Sequence, residues 1–217
     1  MDAPVRRRSL MSRAVLANQP FEPVPNEGVE QYAPGESAAS WRPGDLVLTH
    51  GSAWTSRLIR FGQRLRIHGA DRTYTHWNHV AIVVADDGSL VEALGAGVTR
   101  THVSKYEPRE YRVLRIDASA ADRAQAVRFC RYAAGEVYAN GVARGERIRY
   151  GWVTIVSIAF TLLTGARFSF QLDGTEICSG LAARAMERTG AIFNRGPSHV
   201  MPADIAKYFD PAQHAEQ

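Results

Sequence analysis

The sequence predicts an α+β fold in which a central antiparallel sheet is packed by helices. Three observations carry the prediction. The apolar, β-rich runs "HVAIVV" and "SLVEAL" are joined by "ADDG", which reads as a hairpin. Two more strand-like runs, "GVTRTHVS" and "YRVLRI", follow directly. Segments with helical apolar spacing lie before and after this middle region.

In chain order, residues 1–40 are polar and lack periodicity. They read as an extension, largely disordered or wrapped over the domain. A single domain is expected over 41–210, with 211–217 as a tail. It opens with "WRPGDLVLTH", where Pro43-Gly44-Asp45 forms a turn and Leu46–Leu48 begin a strand. "AWTSRLIRFGQRL" places Trp54, Leu58, Ile59 and Leu65 at helical spacing. A polar loop leads to about Thr75 and then the hairpin. Ser119 and Asp122 resemble a capping box ahead of a helix with Ala126, Phe129, Cys130 and Ala133 on one face, ended by Gly135. The apolar run from Trp152 to Leu163 reads as a buried helix, followed by a short β-like "FSFQL". A helix holding Cys178 runs to Gly190, and Pro202 opens a last short helix, "PADIAKYF".

Composition narrows the function classes. The net charge is +4 and the acidic residues are interspersed with the arginines. No dense basic stripe with interleaved aromatics is present, so no nucleic-acid partner is expected. Two cysteines make neither a disulfide framework nor a zinc site. The first twenty residues have no apolar signal core, and the Trp152–Leu163 run is shorter than the ~20 residues a bilayer span needs. A cytoplasmic location is the expectation, with room for shallow lipid contact.

Cys130 sits mid-helix on an apolar face and reads as core. Cys178 sits near the first turn of its helix, where unpaired N–H groups and the positive dipole end favour a thiolate. The same N–H groups can bind an oxyanion. Ser179 and Gly180 are small enough for a substrate to come close. Position alone leaves both readings of Cys178 open, buried thiol or nucleophile.

A thiolate nucleophile needs a base, and the base an orienter. His79 begins the "HVAIVV" strand, and Glu92 is a carboxylate inside the apolar "SLVEAL" strand. A hairpin tip at Asp87-Gly88 sets Glu92 opposite Val83; a tip near Ala85-Asp86 sets it opposite His79. The sequence leaves this register open. His76 and His79 form H-x-x-H, but three residues apart on a strand they face opposite ways, so no metal is expected. The G-x-S-x-G elbow of α/β-hydrolases is absent.

The ordered set of Asp45 in "PGDLVL", His79 in "NHVAIVV", Glu92 in "LVEAL", Cys178 in "EICSGLAARAM" and the closing "MPADIAKYF" resembles the circularly permuted, YiiX-like branch of the NlpC-type cysteine peptidases. The likeness covers about residues 41–209. It implies a permuted papain-like core, shared with the lecithin:retinol acyltransferase family. It further implies Cys178 as nucleophile, His79 as general base, Glu92 as orienter and the Cys178 N–H in the oxyanion hole. Asp45 is then structural.

Three functions remain open at this stage. One is a peptidase or amidase acting on peptide-like amides, including cell-wall-type peptides. Another is a lipid thioesterase or acyltransferase on the same Cys-His site. The last is a binding module that keeps the fold. No cofactor is expected, and the oligomeric state is left open.

Overall fold

The computed structural model describes residues 26–51, 54–94, 97–136, 138–139, 142–143, 178–191, 193 and 196–210. The predicted Trp152–Leu163 helix, "FSFQL", the turn before Cys178 and the 211–217 tail lie outside them. Six strands make one antiparallel sheet: β1 (Asn26–Tyr32), β2 (Leu46–Thr49), β3 (His79–Val83), β4 (Ser89–Leu94), β5 (Gly97–His102) and β6 (Tyr111–Ile116). Their order is β1-β6-β2-β3-β4-β5, with every pairing antiparallel. A two-stranded ribbon, β7 (Tyr138–Ala139) and β8 (Val142–Ala143), follows. The helices are α1 (Trp54–Arg66), α2 (Ala120–Ala133), α3 (Cys178–Met186) and α4 (Pro202–Tyr208). The coarse α+β class is therefore observed.

Strand β1 corrects the boundary drawn at residue 41. Six of its seven residues pair with β6, from Asn26↔Ile116 to Tyr32↔Tyr111 with a register shift between Asn26 and Gly28, and the strand forms one edge of the sheet. "NEGVEQY" carries little apolar alternation because an edge strand need not bury both faces.

Strand alternation divides the core into two layers. Leu46, Leu48, Val80, Ile82, Val91 and Leu114 face α2, α3 and α4. Val47, Ala81, Val83, Leu90 and Val113 face the other way, where Tyr32, Trp41 and Tyr106 cover them. Tyr32 stacks on Tyr111 at 4.9 Å. Helix α3 is buried almost all round, with only Arg184 exposed in its nine residues. Leu181 and Met186 are fully buried, each contributing about 1.5–3 kcal/mol of hydrophobic stabilisation.

The helix ends follow local rules. Ser119 Oγ accepts from the Asp122 N–H at 3.1 Å and also donates to its carboxylate at 2.7 Å, so one half of the expected capping box forms. At the other end of α2 the Gly135 and Glu136 N–H groups donate to the Tyr132 and Arg131 carbonyls, a Schellman ending that requires the positive φ of Gly135. Helix α1 forms where expected, but Leu65, one of the residues at apolar spacing, does not face inward. Leu65 is 47% exposed, whereas Gln63 is fully buried. The Gln63 amide donates to the Trp77 carbonyl at 2.9 Å and accepts from the Ala203 N–H at 2.9 Å, tying α1 to α4 and to the approach to β3. The expected loop before β3 is a 3₁₀ segment, Gly69–His76.

Asp45 is structural, as expected, and more deeply so than a turn residue. It is fully buried and binds Arg123 at 2.6 Å, Arg115 at 3.1 Å and the Ile116 N–H at 3.1 Å. Arg115 also bonds Glu30 of β1 at 2.7 Å, so one ionic cluster joins β1 and the start of β2 to β6 and α2.

Candidate active site

His79 is the first residue of β3 and is held from three sides. Thr49 of β2 pairs with it in the ladder. The preceding side chain, Asn78, is buried and clamps Gly51 through bonds of 2.8 Å and 3.0 Å. Trp77, one residue earlier, is anchored by Gln63. A ring on so well-fixed a backbone loses little entropy when it takes up one orientation.

The hairpin register falls between the two weighed from sequence. Ile82 pairs with Val91 and Val83 with Leu90, so the tip is Asp86-Asp87 and Glu92 comes level with Ala81. His79 and Glu92 thus share a face in a diagonal relation that long side chains can span. They do: His79 Nε2 lies 2.5 Å from Glu92 Oε2. Gly88 closes the turn at φ +85°, which favours glycine.

Cys178 begins α3 and is 6% exposed. Its thiol is hydrogen-bonded to His79, and because Nε2 serves Glu92, Nδ1 is left for the sulfur. The sulfur also accepts from the backbone N–H groups of Ser179 and Val80. The structure therefore brings Cys178, His79 and Glu92 into one hydrogen-bonded chain. Ser179 and Gly180 do not border an opening; both are buried, and the Ser179 hydroxyl donates to the Val200 carbonyl at 2.6 Å, anchoring the start of α3.

The electrostatics follow from this packing. Burial opposes ionisation of the Cys178 thiol, yet the imidazolium beside it and the two N–H groups hold its pKa below the ordinary value. Burial likewise opposes charge on His79, but the Cys178 thiolate and the Glu92 carboxylate raise its pKa. Burial also works against Glu92, but bonds from His79, Thr101 and Tyr106 keep it well below the usual carboxylate range. These shifts run in the directions that favour a thiolate–imidazolium pair backed by a carboxylate.

Three residues around Glu92 were not anticipated. Thr101 Oγ1 donates to Oε1 at 2.6 Å, Lys105 Nζ donates to Oε1 at 2.9 Å, and the Tyr106 hydroxyl donates to Oε2. The Tyr106 ring also lies 6.1 Å from that of His79. Thr101 was readable in part: Glu92 pairs with Thr99, and Thr101 lies two residues on, on the same face. Lys105 and Tyr106 come from the 3₁₀ turn after β5 and carried no signal.

The other histidine of the H-x-x-H pair goes elsewhere. His76 stacks on His50 at 4.3 Å and bonds Glu110 at 3.1 Å. Cys130 is fully buried in α2, and neither cysteine is disulfide-bonded. Among the described residues no helix is long and apolar enough to cross a membrane.

No protein-family model matches the chain, and no curated protein is similar to it.

Proposed function

We propose that the protein is a cysteine hydrolase built on a permuted papain-like core and acting by acyl transfer on an amide bond. The observation that carries this is the continuous chain from the Cys178 thiol through His79 to the fully buried Glu92. The thiolate attacks the carbonyl carbon, and the sulfur–carbon bond forms as the carbonyl electrons move to oxygen. Donors at the start of α3, the Cys178 N–H among them, stabilise that oxyanion. His79, already protonated, gives its proton to the leaving nitrogen as the carbon–nitrogen bond breaks. Neutral His79 then takes a proton from water, which resolves the acyl-enzyme. Glu92 keeps Nε2 protonated and the ring aimed at the sulfur throughout.

The test is the rate of iodoacetamide alkylation against pH in the wild type, Cys178→Ala, Cys130→Ala and His79→Ala. One thiol reacting fast well below the free-cysteine pKa of about 8.5 is expected, lost in Cys178→Ala, slowed at neutral pH in His79→Ala and unchanged in Cys130→Ala. Labelling of Cys178 only after unfolding would refute the proposal. Peptide amides assayed beside acyl thioesters then identify the bond cleaved.

A further inference from the structure

A groove of about 420 Å³ lies away from the thiol, bordered by four arginines: Arg60 and Arg64 of α1, Arg72 of the 3₁₀ segment and Arg112 of β6. A smaller cavity adjoins it and is lined by Arg64, Arg72 and Thr75. Among the described residues none of these four guanidiniums is ion-paired. Among the described residues one carboxylate borders the groove, Glu110, and it is already engaged by His76 at 3.1 Å and by Gln31. Two guanidiniums are held in place: Arg112 donates to Gln31 at 2.7 Å and lies 5.0 Å from the centre of the Trp77 ring, and Arg60 lies 3.3 Å from His50 Nε2. Arg64 and Arg72 are exposed. Like charges around one groove repel one another, and its volume is in the range of small-ligand sites, roughly 300–1,000 Å³. Burial lowers the His76 pKa, the His50 and Arg60 charges add to that, and Glu110 opposes them.

The sheet register relates this groove to the thiol. Arg112 follows Tyr111, which pairs with Thr49, which pairs with His79. The start of β6, the end of β2 and the start of β3 thus share one end of the sheet, with β6 two strand spacings, about 10 Å, from β3. Thr75, His76 and Trp77 line the groove and lead directly into His79.

We propose that this groove binds a phosphate-type dianion, and that the dianion is carried by the substrate whose carbonyl reaches Cys178. Four guanidiniums against one carboxylate leave more positive charge than a single carboxylate neutralises, and the planar guanidinium fork matches phosphate oxygens. Held there, the remote group spends its binding energy on placing the reacting carbonyl. The second half rests on the cysteine-hydrolase reading; the first does not.

Two measurements separate the halves. Titration of Cys178→Ala with phenyl phosphate, followed by calorimetry and by the ring resonances of His50 and His76, reads the groove alone. Saturable binding that weakens at least tenfold in Arg64→Ala/Arg72→Ala is expected; no binding, or binding unaffected by the two substitutions, overturns the anion site. Sedimentation with phosphatidic acid vesicles, lost in the same variant, assigns the dianion to a lipid headgroup, whereas phenyl phosphate binding without it assigns a soluble phosphomonoester. The link to the thiol is read with N-bromoacetylethanolamine phosphate against N-(2-hydroxyethyl)bromoacetamide, which lacks the phosphate. In both, the thiolate displaces bromide and a sulfur–carbon bond forms. At least tenfold faster labelling of Cys178 by the phosphate reagent, abolished by inorganic phosphate and by Arg64→Ala/Arg72→Ala, is expected. Equal rates for the two reagents overturn the link. A Cys178 inert to both refutes the hydrolase reading and with it the link, while the titration still decides the groove.

Discussion

Replacing Glu92 by Gln removes one charge from the centre of the site and changes little else in shape. The carboxylate accepts from His79 and Tyr106 on Oε2, and from Thr101 and Lys105 on Oε1. A glutamine can keep its oxygen toward His79 and Tyr106 and turn its amide to Thr101, whose hydroxyl accepts equally well. Lys105, whose side chain is 45% exposed, can swing into water. The fold should therefore survive. What is lost is the ionic character of the His79–Glu92 bond. A charged hydrogen bond contributes about 1.5–3 kcal/mol net and a neutral one about 1, a difference of roughly 1–2 kcal/mol. At 1.36 kcal/mol per pKa unit, this moves the pair by about one unit. The sign is fixed by which form Glu92 favours. Without the carboxylate the imidazolium is less stable, so the His79 pKa falls and the Cys178 thiol pKa rises. The alkylation profile should move about one unit to higher pH, with the rate about tenfold lower on its rising limb, and at pH 10, where the thiol ionises without help, the two proteins should react alike. An unchanged profile in a variant with wild-type urea stability would show that Glu92 does not support the ion pair.

Tyr106→Phe should behave differently. It removes a donor that competes with His79 for Oε2, so urea stability should fall by about 1.5–3 kcal/mol while the alkylation profile does not move to higher pH. Asp45→Ala leaves the buried Arg115 and Arg123 without their shared carboxylate and should lower the stability of the chain by about 3–5 kcal/mol, read as a reduced urea midpoint at constant slope. Gly88→Ala places a Cβ 2.9 Å from Val103 Cγ1 at a φ of +85°, and a loss of about 1–2 kcal/mol in thermal unfolding is expected.

The hairpin and the start of the Cys178 helix were readable because both depend on local pattern. Period-two alternation put His79 and Glu92 on the same face for both tips considered, and that parity survives with the tip at Asp86-Asp87, between them. Register itself depends on how four turn residues share two strand ends, which composition does not determine. Strand β1 was missed because Gly28, Glu30 and Gln31 interrupt any apolar rhythm; its strand character comes from the β6 edge it pairs with. Lys105 and Tyr106 on Glu92 and the cations on Asp45 were invisible for a related reason. They are contacts between residues distant in sequence, and no spacing rule connects Asp45 to Arg115 or Arg123. Leu65 misled for a local reason: a buried glutamine with both amide atoms bonded took the inward position on α1.

The order β1-β6-β2 also bears on when the proposed site can assemble as the chain is made. Strands β2 and β3 can pair early, and β3 and β4 bring His79 and Glu92 together from a single hairpin. Both β1 and the outer side of β2 must wait for β6, and closing such distant pairings is slow compared with local ones. Helix α3 comes later still and inserts Cys178 against an imidazole that is already in place. A ribosome-bound or C-terminally interrupted chain thus carries His79 and Glu92 without Cys178 beside them, and the proposed thiolate–imidazolium pair forms only once the helix side of the core has closed.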